Sequence, residues 1–236
     1  MNVFDRFTAL FSSPSEAFEG LIENPLPTSQ IIISISIAVV VTALMSFWIY
    51  STPEVRREIF EMQKDKIEQM VADGKMSQSQ ADQSLAQMES FSEGSFGTII
   101  TVVTGVIMAI GLFFIIAVYY LVMAKFFGTS ENYTFSTALS TLAVLTIFSS
   151  LMSLVSSSLI VIGGSMNTNL GPVLLLDEFN SKDMGHKLIA AADLLMWFYL
   201  FLMMLGFKIT SKSSWLVSVL IILVPYLLVK AFQLFM

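Results

Sequence analysis

The sequence predicts an all-α, polytopic membrane protein: a five-helix transmembrane bundle, an extramembrane helical hairpin between spans one and two, and a short amphipathic N-terminal segment. Three observations support this. The 236 residues are 55% hydrophobic and only 13% charged, whereas soluble domains carry about 25% charged residues. Five segments are apolar over roughly 20 residues, the length that crosses a hydrocarbon layer about 30 Å thick. The only sizeable polar region lies between the first two of them.

Residues 1–29 are predicted to form two short amphipathic helices at the membrane interface or packed under the bundle. In the second helix Ser13 could cap the open N–H groups, Pro14 suits the first helical position, and Glu16 could bond back to the cap. No positive region precedes a short apolar core, so the sequence shows no cleavable signal peptide. In the first helix apolar residues recur at helical spacing: Val3, Phe4, Phe7, Leu10 and Phe11.

The membrane domain is predicted to cover residues 30–236. Its connections after the second and fourth spans are short, which indicates antiparallel neighbours. The five spans are expected at about 31–50, 98–123, 135–162, 188–207 and 215–235.

The hairpin is predicted over residues 52–93. Thr52-Pro53-Glu54 is typical of a helix start, Asp73-Gly74 of a helix end, and Ser77 with Gln80 forms a second capping-box pattern. The favoured interpretation is that its apolar stripes fold on each other or on the membrane surface. A dedicated partner-binding module is the alternative.

Composition excludes several function classes. The net charge of −6 gives no reason to expect a nucleic-acid partner. There is no cysteine, so disulfides, thiolate nucleophiles and cysteine-bound metals are ruled out. No nucleophile–base pair, phosphate loop, metalloprotease motif or nucleotide fingerprint is present. We therefore predict no catalytic residue, no metal and no cofactor.

Asp193 is the most informative single residue, because it falls six residues into the predicted fourth span. A carboxylate at that depth is costly and often functional. The favoured interpretation is nevertheless structural pairing, with a transport or proton-relay role as the alternative. His186, the only histidine, could share a metal with Asp183, but two ligands are a weak signal and a structural role at the loop end is favoured.

The third span is dense in hydroxyl groups, with Ser153 and Ser157 in its second half. Small residues let helices approach closely and their hydroxyls bond across the interface, so this span should be the centre of the bundle. A polar permeation lining is the less favoured alternative. Together with Asp193 and His186, the two serines form the candidate intramembrane polar site.

Two motifs resemble the Yip family. The stretch LFSSPSEAFEGLIENP is similar to that family's entry segment, and AADLLMWFYLFLMMLGFKITSKSS is similar to its fourth span. The hairpin sequence GKMSQSQADQSLAQM resembles an insertion common in bacterial relatives. The matching family-motif positions are Ser13, Pro14, Phe18, Pro25, Trp197 and Gly206, supported by Leu10, Phe11, Asp193 and Lys208.

The resemblance implies five spans, a cytoplasmic N-terminus and no enzyme activity. The Lys/Arg count favours the opposite orientation, but its excess lies mostly in one acidic hairpin, so the family's orientation is preferred. GTPase binding, which the resemblance implies for eukaryotic members, is not carried over, because only about 30 residues precede the first span.

The sequence therefore predicts a non-enzymatic scaffold or adaptor in membrane organisation or trafficking, in the bacterial cytoplasmic (inner) membrane with its N-terminus inside. A small transporter or channel subunit using Asp193 is the alternative. The expected partners are the lipid bilayer and a membrane protein or a second copy of the chain.

Overall fold

A computed structural model describes residues 1–93, 95–128, 130–176, 179 and 183–235. These residues form helices and no strand, which confirms the all-α class. The helices are α1 (Val3–Ser12), α2 (Thr28–Ser51), α3 (Pro53–Ala72), α4 (Gln78–Glu93), α5 (Ser95–Phe127), α6 (Phe135–Gly163), a 3-10 turn (Pro172–Leu175), α7 (Met184–Ala190), α8 (Leu194–Ser211) and α9 (Trp215–Phe235). Five of them, α2, α5, α6, α8 and α9, are long and apolar enough to cross a membrane.

Helix α6 is the centre of the bundle. It packs against α1, α2, α5 and α8, and small residues such as Ala138, Ser140 and Thr141 on its surface are fully buried. Short side chains allow this close approach of several helices to one. Helix α9 is joined to α5 by a hydrogen bond of 2.7 Å from the Tyr119 hydroxyl to the Ile221 carbonyl.

The N-terminal segment contains one α-helix, not two. Helix α1 has a capping box of Asn2 and Asp5 and ends at Ser12; Ser13 is its C-cap, and the Ser13 N–H donates to the Ala9 carbonyl. Residues 14–23 form consecutive turns, and Gly20 adopts a left-handed φ of +73° that ends helical geometry. Ser13 is therefore the end of the first helix and not the cap of a second.

Arg6 supplies the physical reason for this irregular backbone. Its Nη1 donates to the carbonyls of Ala17 (2.8 Å) and Glu19 (2.9 Å). In a continuous helix those carbonyls would bond to N–H groups four residues later. The Arg6 side chain is buried, and burial lowers the pKa of its guanidinium.

The N-terminal segment also belongs to the core of the bundle. The N–H of Val3 donates to Gln30 Oε1 (2.8 Å), and that of Leu26 donates to Ser140 Oγ (2.8 Å). These two bonds join it to the first turn of α2 and the second turn of α6. The segment buries Val3, Leu10, Ala17, Phe18 and Leu21 in the same core as the spans.

The hairpin forms as the sequence predicts. Helix α3 begins at Pro53 and ends at Ala72, before Gly74 with a φ of +71°. Ser77 and Gln80 make the expected capping box: the Ser77 N–H donates to Gln80 Oε1 (3.0 Å) and the Gln80 N–H to Ser77 Oγ (3.3 Å). Helices α3 and α4 pack against each other, burying Ala81.

The hairpin is also docked on the bundle through Glu58. Its carboxylate accepts three hydrogen bonds from the loop that follows α6: from Ser165 Oγ (3.0 Å), the Met166 N–H (2.7 Å) and Asn167 Nδ2 (2.9 Å). At the far end of the bundle, the Ser130 N–H donates to the Ser211 carbonyl (3.2 Å). The 33 residues of α5 separate these two ends by about 50 Å at 1.5 Å per residue.

The fourth span differs from its predicted limits. Residues 188–190 belong to the short helix α7, and the span begins at Leu194 and continues to Ser211. The sequence gives no signal of this break, because the apolar run around Ile189 contains no glycine or proline. Asp193 therefore lies directly before the span and not six residues into it.

Candidate functional site

Asp193 is the N-cap of α8. Its backbone is extended, and its Oδ1 accepts from the N–H groups of Leu195 (2.9 Å) and Met196 (3.4 Å). These donors have no partner inside the helix, and a carboxylate there also interacts favourably with the helix dipole. Asp193 thus occupies a site in which a short polar side chain is structurally required.

The α7–α8 junction is held by the loop before it. The Leu194 N–H donates to the Leu170 carbonyl (3.0 Å), and Asn169 Nδ2 donates to the Ala190 carbonyl (2.8 Å). A Cβ on Gly171 would lie 2.5 Å from the Ala192 carbonyl oxygen, so only glycine allows this approach. The start of α8 is therefore fixed by backbone contacts.

His186 lies in α7 and does not meet Asp193 in a common site. Asp183 caps α7, its Oδ1 accepting from the His186 N–H (3.1 Å). The N–H groups of His186 and Gly185 lower the pKa of the Asp183 carboxyl. The His186 ring lies 6.0 Å from that of Phe179. No group of three or more His, Asp or Glu side chains that could hold a metal ion occurs among the described residues.

Ser153 lines a cavity of about 220 Å³ between α2, α5 and α6. The lining combines apolar side chains with six hydroxyl groups, five of them from α2 and α6 and one from Tyr199 of α8. Ser157 is buried one turn further along α6 and does not line the cavity. The lining consists of Ile35, Ala38, Val39, Thr42, Ala109, Ile110, Leu112, Phe113, Ile116, Leu142, Thr146, Ser149, Ser150, Ser153 and Tyr199.

The structure therefore divides the polar residues that the sequence grouped together. Asp193 and His186 lie at the α7–α8 junction, while Ser153 belongs to the cavity. Thr42 and Tyr199 were missed because each is an isolated polar residue in an apolar run, and only the packing of the helices brings them to α6. The cavity is the candidate functional site of the bundle.

Two of the family-motif positions meet in the core. The buried Phe18 ring packs against Gly206 of α8, where a Cβ would lie 2.9 Å from Phe18 Cε1. Ser13 and Pro14 follow the end of α1, and Pro25 precedes the bond from Leu26 to Ser140. Trp197 is partly exposed and its ring contacts Tyr226 edge-to-face at 6.1 Å.

These features define a polytopic helical membrane protein whose N-terminal segment is packed into a bundle of five candidate spans. A family model described as the Yip1 domain matches residues 8–236. The match covers nearly the whole sequence, and the chain belongs to the Yip1 domain family. Comparisons with curated proteins and with solved structures gave no match.

Proposed function

We propose that this chain is a bacterial-type member of the Yip1 domain family that acts as a non-enzymatic scaffold or adaptor in membrane organisation or trafficking. In this proposal it resides in the bacterial inner membrane with its N-terminus inside. The hairpin α3–α4 presents the contact surface for a membrane protein or a second copy of the chain.

The observation that carries the proposal is the docking of the hairpin. Three hydrogen bonds to Glu58 hold α3 on the loop after α6, and Val55 one turn earlier is fully buried. A helix fixed in this way presents its outer face in one orientation, which reduces the entropy lost when a partner binds. That outer face is polar and exposed, with Arg57, Glu61, Lys64, Asp65, Glu68 and Gln69.

A transport role based on Asp193 has less support. Its Oδ1 already accepts from two backbone N–H groups, and Asp193 does not line the cavity. A residue that relays protons must exchange its hydrogen-bond partners during the cycle, whereas a cap keeps them. We assign Asp193 a structural role.

Photo-crosslinking in native membranes tests the scaffold. A photoreactive amino acid in place of exposed Gln69 on α3 should give a discrete crosslinked protein band, and the same group at lipid-facing Ile115 should not. Glu58→Ala should weaken the band, because the hairpin is released, while Glu131→Ala, at an exposed residue on the other end of the bundle, should leave it unchanged. Crosslinks to lipid alone from Gln69, or a band insensitive to Glu58, would contradict the proposal.

A flux measurement separates the scaffold from the transporter. Wild type and Asp193→Asn are reconstituted in liposomes, and proton and ion fluxes are followed with entrapped dyes. The scaffold predicts no flux that depends on Asp193. A flux present in wild type and lost in a folded Asp193→Asn protein would favour the transporter.

The proposed orientation is tested with single cysteines, since the chain has none of its own. Ser79→Cys in the hairpin should react with an impermeant thiol reagent from the periplasmic side, and Ser130→Cys only after the membrane is opened. The reverse pattern would place the N-terminus outside. Labelling of both from one side would refute the five-span arrangement.

A further inference from the structure

We infer that the cavity between α2, α5 and α6 is a binding site for an uncharged lipid that carries hydrogen-bond-accepting oxygen atoms. This inference does not depend on the scaffold role. It rests on the position of the cavity, on its lining and on hydroxyl groups within it that lack partners.

The cavity lies in the middle of the bundle. Apart from Tyr199 of α8, its lining residues fall within 35–42 of α2, 109–116 of α5 and 142–153 of α6. Each of these ranges is at least seven residues from either end of its helix, or about 10 Å at 1.5 Å per residue. A site at this depth is reached from the hydrocarbon layer, and Leu112 at its rim is 52% exposed.

The cavity lining disfavours a charged ligand. No charged side chain is among the described residues that surround the cavity. Placing an ion there would leave it without a counter-charge in an apolar medium, at a cost of many kcal/mol. Phospholipid headgroups are therefore excluded, and an uncharged molecule is required.

The hydroxyl groups call for an acceptor. Ser149 and Ser150 donate to the Thr146 carbonyl, but the hydroxyls of Thr42, Ser153 and Tyr199 make no hydrogen bond within the described part of the chain. These hydroxyls open on the cavity and are not enclosed by protein, and a donor left without an acceptor in apolar surroundings costs about 1–3 kcal/mol. An ester or hydroxyl oxygen of a lipid would satisfy these groups.

The apolar part of the lining suits a hydrocarbon chain. It is formed by aliphatic and aromatic side chains, including Ile35, Ile110, Phe113 and Ile116. Ligand sites commonly combine such apolar walls with a few oriented polar groups, and an apolar cavity of about 150 Å³ already accepts a molecule of the size of benzene. The 220 Å³ here accommodates the ester region of a lipid, with its chains continuing towards Leu112.

Diacylglycerol with a photoactivatable diazirine beside one ester is the probe, used with purified protein in phosphatidylcholine vesicles. Labelled peptides are mapped by mass spectrometry. We expect labelling concentrated on α2 residues 35–42 and α6 residues 142–153. Ala109→Phe, which fills the cavity, should abolish that labelling, whereas Ile115→Phe on the outer face of the same helix should leave it intact.

Tyr199→Phe is the second variant, because it removes one hydroxyl and keeps the ring that stacks on Phe148 at 6.3 Å. Loss of one hydrogen bond of about 1 kcal/mol should reduce labelling about fivefold at subsaturating probe, with the unfolding temperature nearly unchanged. Equal labelling of wild type, Ala109→Phe and Tyr199→Phe would overturn the lipid assignment and leave water or a small polar solute in the cavity. Equal labelling by a diazirine phosphatidylglycerol would overturn the selection for an uncharged lipid.

Discussion

Phe18 and Gly206 are in direct contact although they are 188 positions apart in the chain. The Phe18 ring is almost fully buried, and its Cε1, Cζ and Cδ1 atoms lie 2.9, 3.1 and 3.2 Å from the position of a Cβ on Gly206. The absence of a side chain at Gly206 is what admits the N-terminal segment to the core. This contact connects the two stretches of sequence that resemble the Yip family.

Gly206→Ala should therefore destabilise the bundle. The added methyl group collides with a rigid aromatic ring, and overpacking of this kind costs about 1–3 kcal/mol, partly offset by the higher helix propensity of alanine. The free energy of unfolding in detergent micelles measures the effect. Phe18→Leu should restore much of the loss in the double variant.

Gly111 of α5 is the matched control, because a Cβ there meets no described atom within 4 Å. Gly111→Ala should be neutral or slightly stabilising. If Gly206→Ala is equally neutral, the Phe18 ring has room to move and the contact does not position the segment.

Arg6→Met should loosen the N-terminal segment while leaving the five spans assembled. The substitution leaves the carbonyls of Ala17 and Glu19 without their donor, and each unsatisfied buried group costs about 1–3 kcal/mol. Proteolysis within residues 13–27 should become faster, and the unfolding temperature should fall. The control is Arg57→Met at an exposed position, which should change neither the proteolysis rate nor the unfolding temperature. Equal effects of both variants would show that the loss of a positive charge, and not the loss of the two hydrogen bonds, is responsible.

The five spans and the hairpin were predictable because their signals are local. Apolar length determines each span, and Gly74 and the Ser77–Gln80 pair mark the hairpin turn by short-range chemistry. The second N-terminal helix was wrong for a non-local reason. Ser13 and Pro14 have the local pattern of a helix start. However, the Arg6 side chain bonds to backbone carbonyls that a helix would use, and the left-handed φ of Gly20 ends helical geometry.

The candidate site was less accessible to sequence reasoning. Ser153 was selected for the hydroxyl content of its helix, yet the cavity also needs Thr42 and Tyr199 from helices with no such enrichment. Asp193 was placed inside the span because hydropathy cannot detect a helix break without glycine or proline. Which residues share a cavity depends on helix packing and rotation, which a single sequence does not encode locally.

Glu58→Ala should free the hairpin from the bundle. It removes the acceptor of three hydrogen bonds from residues 165–167, and bonds to a charged group contribute about 1.5–3 kcal/mol each when buried and less at this half-exposed site. Spin labels at Ser79 and Ser130 should give a broader distance distribution than in wild type. Glu61→Ala on the exposed face of α3 is the control, and an unchanged distribution in Glu58→Ala would show that packing around Val55 suffices for docking.

Two variants, Asp193→Asn and Asp193→Ala, should distinguish the contribution of the N-cap hydrogen bonds to stability from the contribution of the negative charge. Asparagine is as effective an N-cap as aspartate, so the first variant should change the free energy of unfolding by only a few tenths of a kcal/mol, whereas alanine should cost about 0.5–2 kcal/mol. Chemical denaturation in micelles measures both. Asp183→Ala is the control, because Asp183 is exposed and caps only the seven residues of α7, whose loss should not lower the stability of the spans. If asparagine destabilises as much as alanine, the negative charge itself is required at the start of α8, and the structural assignment of Asp193 must then include an electrostatic partner beyond the two N–H groups it accepts from.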